Sequence, residues 1–189
     1  MNNTNLKEFQ HSDFDSFFKL MREGFPSVEM RSCEDAKNLL YEDLYNIIVD
    51  KDENENITAF IANWEFSDFN FIEHFAVDSK IRGSGIGTAM LKAYLNKCNK
   101  PIFLEVELPE NHVSIRRIEF YKRLGFYLNN FEYLQPPMQK QYDFLPLKVM
   151  SYPRSVNEKE FINFKNVVYN RVYKKQATKR NYKLIFLGI

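Results

Sequence analysis

The sequence predicts an α/β fold of the α+β layered kind, with helices packed on a mixed sheet. Three observations carry this. Segments with strand character recur along the chain, at residues 6–9, 46–49, 57–65, 70–77, 102–106, 126–134 and 145–152. Amphipathic helical patterns are interspersed among them rather than gathered at one end. The length of 189 residues, with 44% hydrophobic and 27% charged residues, suits one well-packed domain.

Each element has a local reason. Leu6 to Phe9 reads as a first strand. Ser12-Asp13-Phe14-Asp15 reads as a capping box for a helix that places Phe14, Phe17, Phe18 and Met21 on one face and ends at Gly24. Ser32-Cys33-Glu34-Asp35 starts a second helix, with Ala36, Leu39 and Leu40 inward. Asn46 to Val49 is a strand, and the polar run 50–56 is a turn. Ile57 to Glu65 and Asn70 to Val77 are two strands of a meander. The next helix carries Ile86, Met90 and Tyr94 in line, with Leu91 and Leu95 beside them. Ile102 to Val106 is a short apolar run, hence a central strand. A helix begins around Pro109 to Asn111 and stops at Gly125. Two late strands follow, 126–134 and 145–152. Ser155-Val156-Asn157-Glu158 reads as a third capping box, opening a terminal helix with Phe161, Phe164, Val168 and Val172 at helical spacing.

Glycine marks the functional region. Three of the six glycines lie within five residues, in Arg82-Gly83-Ser84-Gly85-Ile86-Gly87. The run follows a strand and opens a helix, predicted over 88–97. Glycine lets a ligand approach the main chain closely, and a helix N-terminus offers unpaired N–H groups and positive potential to an anion. The loop therefore reads as a phosphate or pyrophosphate cradle. No Lys follows Gly87, which excludes the P-loop. The spacing Gly83-x-Gly85-x-Gly87 also departs from the dinucleotide fingerprint. What remains is Arg-x-x-Gly-x-Gly.

With two further segments the chain resembles the GNAT superfamily of acyl-CoA-dependent N-acetyltransferases. These are Ile72-Glu73-His74-Phe75-Ala76-Val77-Asp78 and Phe120-Tyr121-Lys122-Arg123-Leu124-Gly125-Phe126. The resemblance covers roughly residues 5–150, most clearly 57–127. It implies a mixed, mostly antiparallel sheet whose two central strands splay apart to admit acyl-CoA, and acetyl-CoA as co-substrate. Residues 1–152 would form this domain. Residues 153–189, a terminal helix and a basic tail, would pack on it.

The resemblance also implies roles. Pyrophosphate would lie on the N–H groups of Arg82, Gly83, Ser84, Gly85, Ile86, Gly87 and Thr88. Arg82 would either pair with a phosphate or anchor the loop. The pantetheine arm would run along Phe75, Ala76 and Val77, with the Val77 N–H donating to the thioester carbonyl. Tyr121 would be the general acid beside the sulfur, since a phenol stays protonated at neutral pH; a core tyrosine is the alternative. Many family members carry Asn seven residues before this tyrosine to contact the arm. Here that position is Ser114, with Asn111 three residues earlier, so both are candidates.

Strand alternation puts Phe71, Glu73 and Phe75 on one face and Ile72, His74 and Ala76 on the other. The resemblance implies that Glu73, four residues before Val77, is the candidate base, often acting through water, and its place between two phenylalanines should raise its pKa; a structural hydrogen bond or substrate anchor is the alternative. His74 should point away. Glu105 and Glu107 share a strand face and could bind a cationic acceptor. Trp64, Phe66 and Phe69 read as core, or as the lining of an apolar acceptor pocket. Residues 24–35 and 135–146 should rim the acceptor site.

The function expected is transfer of an acetyl group from acetyl-CoA to a primary amine by direct attack, with no metal. A small-molecule or peptide amine would be the acceptor, and a homodimer is allowed. The alternatives are an acyl-CoA sensor without catalysis, or an enzyme for a macromolecule such as a protein N-terminus, ribosomal protein or tRNA. Residues 1–150 hold 17 Lys/Arg against 23 Asp/Glu, and residues 151–189 hold 9 against 2. The basic run 174–180 could dock an acidic partner, but no aromatic platform accompanies it, so nucleic acid is not expected. No apolar run is long enough for a membrane span, and the N-terminus lacks signal-peptide character. Cys33 and Cys98 fit reduced thiols in a cytoplasmic protein.

Overall fold

The computed structural model describes residues 6–174. The basic run beyond Lys174 lies outside the described residues. The sheet has eight strands, ordered β1-β2-β3-β4-β5-β8-β6, with β7 also pairing β8. The strands are β1 (Lys7–Glu8), β2 (Tyr45–Lys51), β3 (Ile57–Glu65), β4 (Asn70–Val77), β5 (Ile102–Glu107), β6 (Tyr127–Leu128), β7 (Tyr133–Gln135) and β8 (Leu145–Tyr152). The helices are α1 (Phe14–Gly24), α2 (Cys33–Leu39), α3 (Ile86–Lys97), α4 (His112–Arg123) and α5 (Glu158–Arg171). Every pairing is antiparallel except β4 with β5.

The two faces of the sheet have separate cores. One joins α1, α2 and α5 to Phe60, Trp64, Phe71 and Phe103. The other joins α3 and α4 to Ile61, Ile72, Leu104 and Met150. The cysteines are free, Cys33 exposed and Cys98 half-buried.

Several boundaries differ from the sequence reading because a nearby group caps better. A single helical turn at 11–13 precedes α1, and Gln10 and Asp13 form its reciprocal cap, so Ser12 caps nothing. Asn157 and Glu160, not Ser155 and Glu158, form the box that opens α5. Ser32 does cap α2, accepting from the Asp35 N–H at 3.0 Å. The strand expected over 126–134 is broken in two. Asn129 turns inward at the break, donating to Val149 O at 3.2 Å and Ser151 Oγ at 3.0 Å.

Candidate active site

The β4–β5 ladder runs only from Asn70/Ile102 to Ile72/Leu104. Beyond it the strands part, and the cleft between them is lined by residues including Glu73, Phe75, Glu105, Glu107 and Tyr121. The cleft presents backbone donors. The Asp78 N–H bonds Thr58 O at 2.8 Å, so Thr58/Asp78 is a hydrogen-bonded pair of the β3–β4 ladder. Such pairs alternate with pairs whose N–H groups point the other way. Ala59/Val77 and Ile61/Phe75 are therefore of the second kind. The N–H groups of Val77 and Phe75 face away from β3, into the gap.

A glycine loop brings a helix terminus beside this gap. Gly83 and Gly85 have φ of 88° and 91°, the left-handed region that other residues enter only under strain. Gly85 is the N-cap of α3. Gly87 serves packing instead: a Cβ there would stand 3.0 Å from Val77 Cγ2 and 3.4 Å from the Phe75 ring. The start of α3 can press against the end of β4 only without that side chain. The helix opens at Ile86, two residues earlier than expected, and Ala89 N–H makes its first bond, to Gly85 O. Gly87 and Thr88 are in the first turn, whose N–H groups have no intrahelical carbonyl. Arg82 Nε donates to Val77 O at 3.3 Å, so this side chain ties the loop to β4.

The alternation expected for β4 does not hold. Ala62 pairs with His74 while Asn63 pairs with Ile72, which leaves Glu73 as the extra residue of a β-bulge. A bulge shifts every later side chain to the other face. Phe75 stacks on Phe120 of α4 at 6.2 Å, on the α3/α4 face, while Glu73 and His74 both turn to the α1/α2/α5 face. His74 lies edge-on to Phe25 at 4.7 Å and donates from Nε2 to Glu29 O at 2.9 Å, the carbonyl being an acceptor only. Burial pushes its pKa down.

Glu73 reaches the cleft with its carboxylate already held. Arg31 Nη1 donates to Oε1, and Trp64 Nε1 to Oε2 at 3.1 Å. Arg31 Nη2 also donates to Val172 O at 3.1 Å, which ties the end of the C-terminal helical region to the site. Trp64, Phe66 and Phe69 are core residues.

On β5, Glu105 accepts from Tyr133 OH, from Gln135 Nε2 at 2.9 Å and from Tyr173 OH at 2.8 Å. Burial, which disfavours its charge, pushes its pKa up to about 7 against the lowering effect of those donors. Glu107 pairs with Arg117 of α4 at the mouth. Glu29, from the turn between α1 and α2, enters the same cleft; burial first, then repulsion from Glu107, raises its pKa to about 7.

Tyr121 lies on the α4 wall, buried against Phe120 and Phe126, and burial pushes its pKa up to about 12. Asn111 and Ser114 form the N-terminal box of α4. Asn111 Oδ1 accepts from the Val113 and Ser114 N–H groups, and Ser114 Oγ donates to Asn111 O. The loops 24–35 and 135–146 meet, with Gln139 Nε2 donating to Met30 O at 2.8 Å and Tyr142 OH to Ser27 Oγ.

Sequence reasoning reached Glu29, Arg31 and Gln135 only as part of the segments 24–35 and 135–146 expected to rim the acceptor site, and passed over Tyr133 and Tyr173. None lies in a motif; Glu29 and Gln135 line the cleft, and Arg31, Tyr133 and Tyr173 bond its carboxylates from behind, all by tertiary packing.

A parallel pair that splays, donors facing the gap and a glycine-led helix terminus at its edge are the features the three motifs implied. Residues 14–126 match the Acetyltransferase (GNAT) family. The chain belongs to the GNAT acetyltransferase family. A GNAT-family protein from Bacteroides thetaiotaomicron superposes with a TM-score of 0.81 at 29% identity, covering 89% of this chain and 98% of that one. The ribosomal-protein-S18-alanine N-acetyltransferase of Escherichia coli has a TM-score of 0.62 at 16% identity, over 83% and 97%. A phosphinothricin acetyltransferase from Sinorhizobium meliloti, solved with AcCoA, has 0.57 at 16%, over 82% and 94%. No curated protein matches the sequence. Among the described residues of this acetyltransferase, no helix is long and apolar enough to cross a membrane, and no three His, Cys, Asp or Glu residues converge as metal ligands.

Proposed function

We propose that this acetyltransferase transfers the acetyl group of acetyl-CoA to a primary amine by direct attack of the neutral amine on the thioester. The observation that carries the reading is the gap itself, into which the N–H groups of Phe75 and Val77 point beside the α3 terminus. The thioester oxygen gains negative charge in the transition state, and fixed donors stabilise it there. The pyrophosphate lies on the loop 82–88, with Arg82 as the loop's anchor. Phe75, Ala76 and Val77 carry the pantetheine arm. Asn111 and Ser114 hold the start of α4, and thereby Tyr121, in register with that arm.

The two faces divide the work. Tyr121 stands on the α3/α4 side and stays protonated at neutral pH, so it gives its proton to the departing thiolate. The carboxylates stand on the α1/α2/α5 side, where the amine enters. Both oxygens of Glu73 are engaged, so it orients Arg31 and Trp64. Glu29, balanced near neutrality, takes the amine's proton directly or through one water.

The test is steady-state thiol release with Tyr121→Phe and Glu29→Gln. Each variant should lower kcat by about a hundredfold or more, with the acetyl-CoA Kd unchanged. Unchanged turnover in either variant would remove that residue from the mechanism.

A further inference from the structure

The acceptor side of the cleft holds more carboxylates than the protein pairs with cations. Four carboxylates line it, from Glu29, Glu73, Glu105 and Glu107. Arg31 is committed to Glu73, and Arg117 to Glu107. Glu105 is bonded only by neutral donors: two phenols and an amide. It sits one residue past the last rung of the β4–β5 ladder, at the apex of the wedge. Glu29 stands nearer the mouth, beside Glu107. His74, 4% exposed and lining the same cleft, has its Nε2 used by Glu29 O and its Nδ1 without a partner. With Nε2 protonated, Nδ1 is an acceptor. The wall thus offers Glu105, which no cation pairs, and Glu29, whose neighbouring Arg117 is paired with Glu107, to a ligand rich in N–H groups. It offers no uncommitted arginine for a carboxylate or phosphate.

Resting on the acetyl-transfer reading above, we propose that the acceptor is a small aliphatic amine with a second, cationic nitrogen, and that Glu105 binds the nitrogen that is not acetylated. Glu105 at the apex and Glu29 toward the mouth then hold the two ends of one chain. A buried carboxylate gains most from a partner that brings its own positive charge into the low-dielectric site. The Tyr133, Gln135 and Tyr173 donors fix the Glu105 carboxylate in place before the cation arrives, so little order is lost on binding.

Three amines of matched length separate the alternatives: butylamine, diaminobutane and aminobutyrate. With acetyl-CoA saturating, kcat/KM for diaminobutane should exceed that for butylamine by about tenfold or more, with aminobutyrate lowest. In Glu105→Gln the ratio of diaminobutane to butylamine should fall toward one. Equal use of the two, preference for aminobutyrate or for a neutral peptide N-terminus, or a ratio unchanged in E105Q would overturn the proposal. Calorimetry of diaminobutane with the protein alone reads the cation site without acetyl transfer. Binding that weakens in E105Q supports the proposal, and absence of binding to the wild type contradicts it. Acetyl-CoA titrated separately reports on the acetyl-transfer reading, so either can fail alone. Should E105Q not fold, the three-amine comparison on the wild type decides.

Discussion

At the scale of residues, the site depends on pairs that no local pattern announces. Arg31 and Glu73 are 42 residues apart, and Tyr173 and Glu105 are 68 apart. The Tyr121 motif and the loop at 82–87 are legible because their spacing is local and their geometry follows from glycine and helix ends. The orientation of Glu73 and His74 is not, because one extra residue in β4 is invisible to a period-two reading. Arg31→Ala should therefore do more than trim the surface. It leaves the buried Glu73 carboxylate without its cation and should cost roughly 3–5 kcal/mol in denaturant unfolding. Glu29 gives a pH prediction. With its pKa near 7, the basic form of Glu29 accumulates as pH rises. In the wild type kcat/KM should climb through about pH 7, and Glu29→Gln should lose that limb while the amine's own ionisation, at higher pH, remains.

At the scale of elements, the strands buried on both faces were the most readable. Ile57 to Glu65, Asn70 to Val77 and Leu145 to Tyr152 have the expected bounds. Helix starts were less so, because Ser12 and Ser155 compete with Gln10 and Asn157, and the winner depends on where the chain turns. Gly87 ties element packing to function. Gly87→Ala places a methyl 3.0 Å from Val77 and pushes α3 away from β4. It should cost about 1–3 kcal/mol of stability and raise the acetyl-CoA Kd, because the helix terminus and the β4 donors then no longer face one ligand. A Gly87→Ala protein that binds acetyl-CoA as the wild type does would show that this close packing is not part of the donor site.

At the scale of the molecule, α5 is continuous with the core under the site. Phe164 is fully buried, stacked on Phe103 at 4.5 Å and edge-on to Phe69 and Phe71. Phe164→Ala should cost about 3–5 kcal/mol. Past the helix, Val172 O and Tyr173 OH reach Arg31 and Glu105, so removing residues 172–189 should impair catalysis as well as folding. Glu105 also couples the site to global stability. Its pKa is about 7 folded against an ordinary 4.5, so the unfolded chain releases this proton first as pH rises. This group's effect is loss of stability between about pH 4.5 and pH 7, persisting above. Relative to the wild type, Glu105→Gln should therefore gain on the order of 3 kcal/mol from pH 4.5 to pH 8 in chemical denaturation.

The central claim is that the gap between β4 and β5 holds acetyl-CoA for attack by an amine. Calorimetric titration with acetyl-CoA, followed by thiol release over a panel of amines, tests it most directly. The account predicts one-to-one binding and amine-dependent release of CoA, the release slowed by about a hundredfold or more when Tyr121 is replaced by Phe. Absence of acetyl-CoA binding by the folded protein would contradict it.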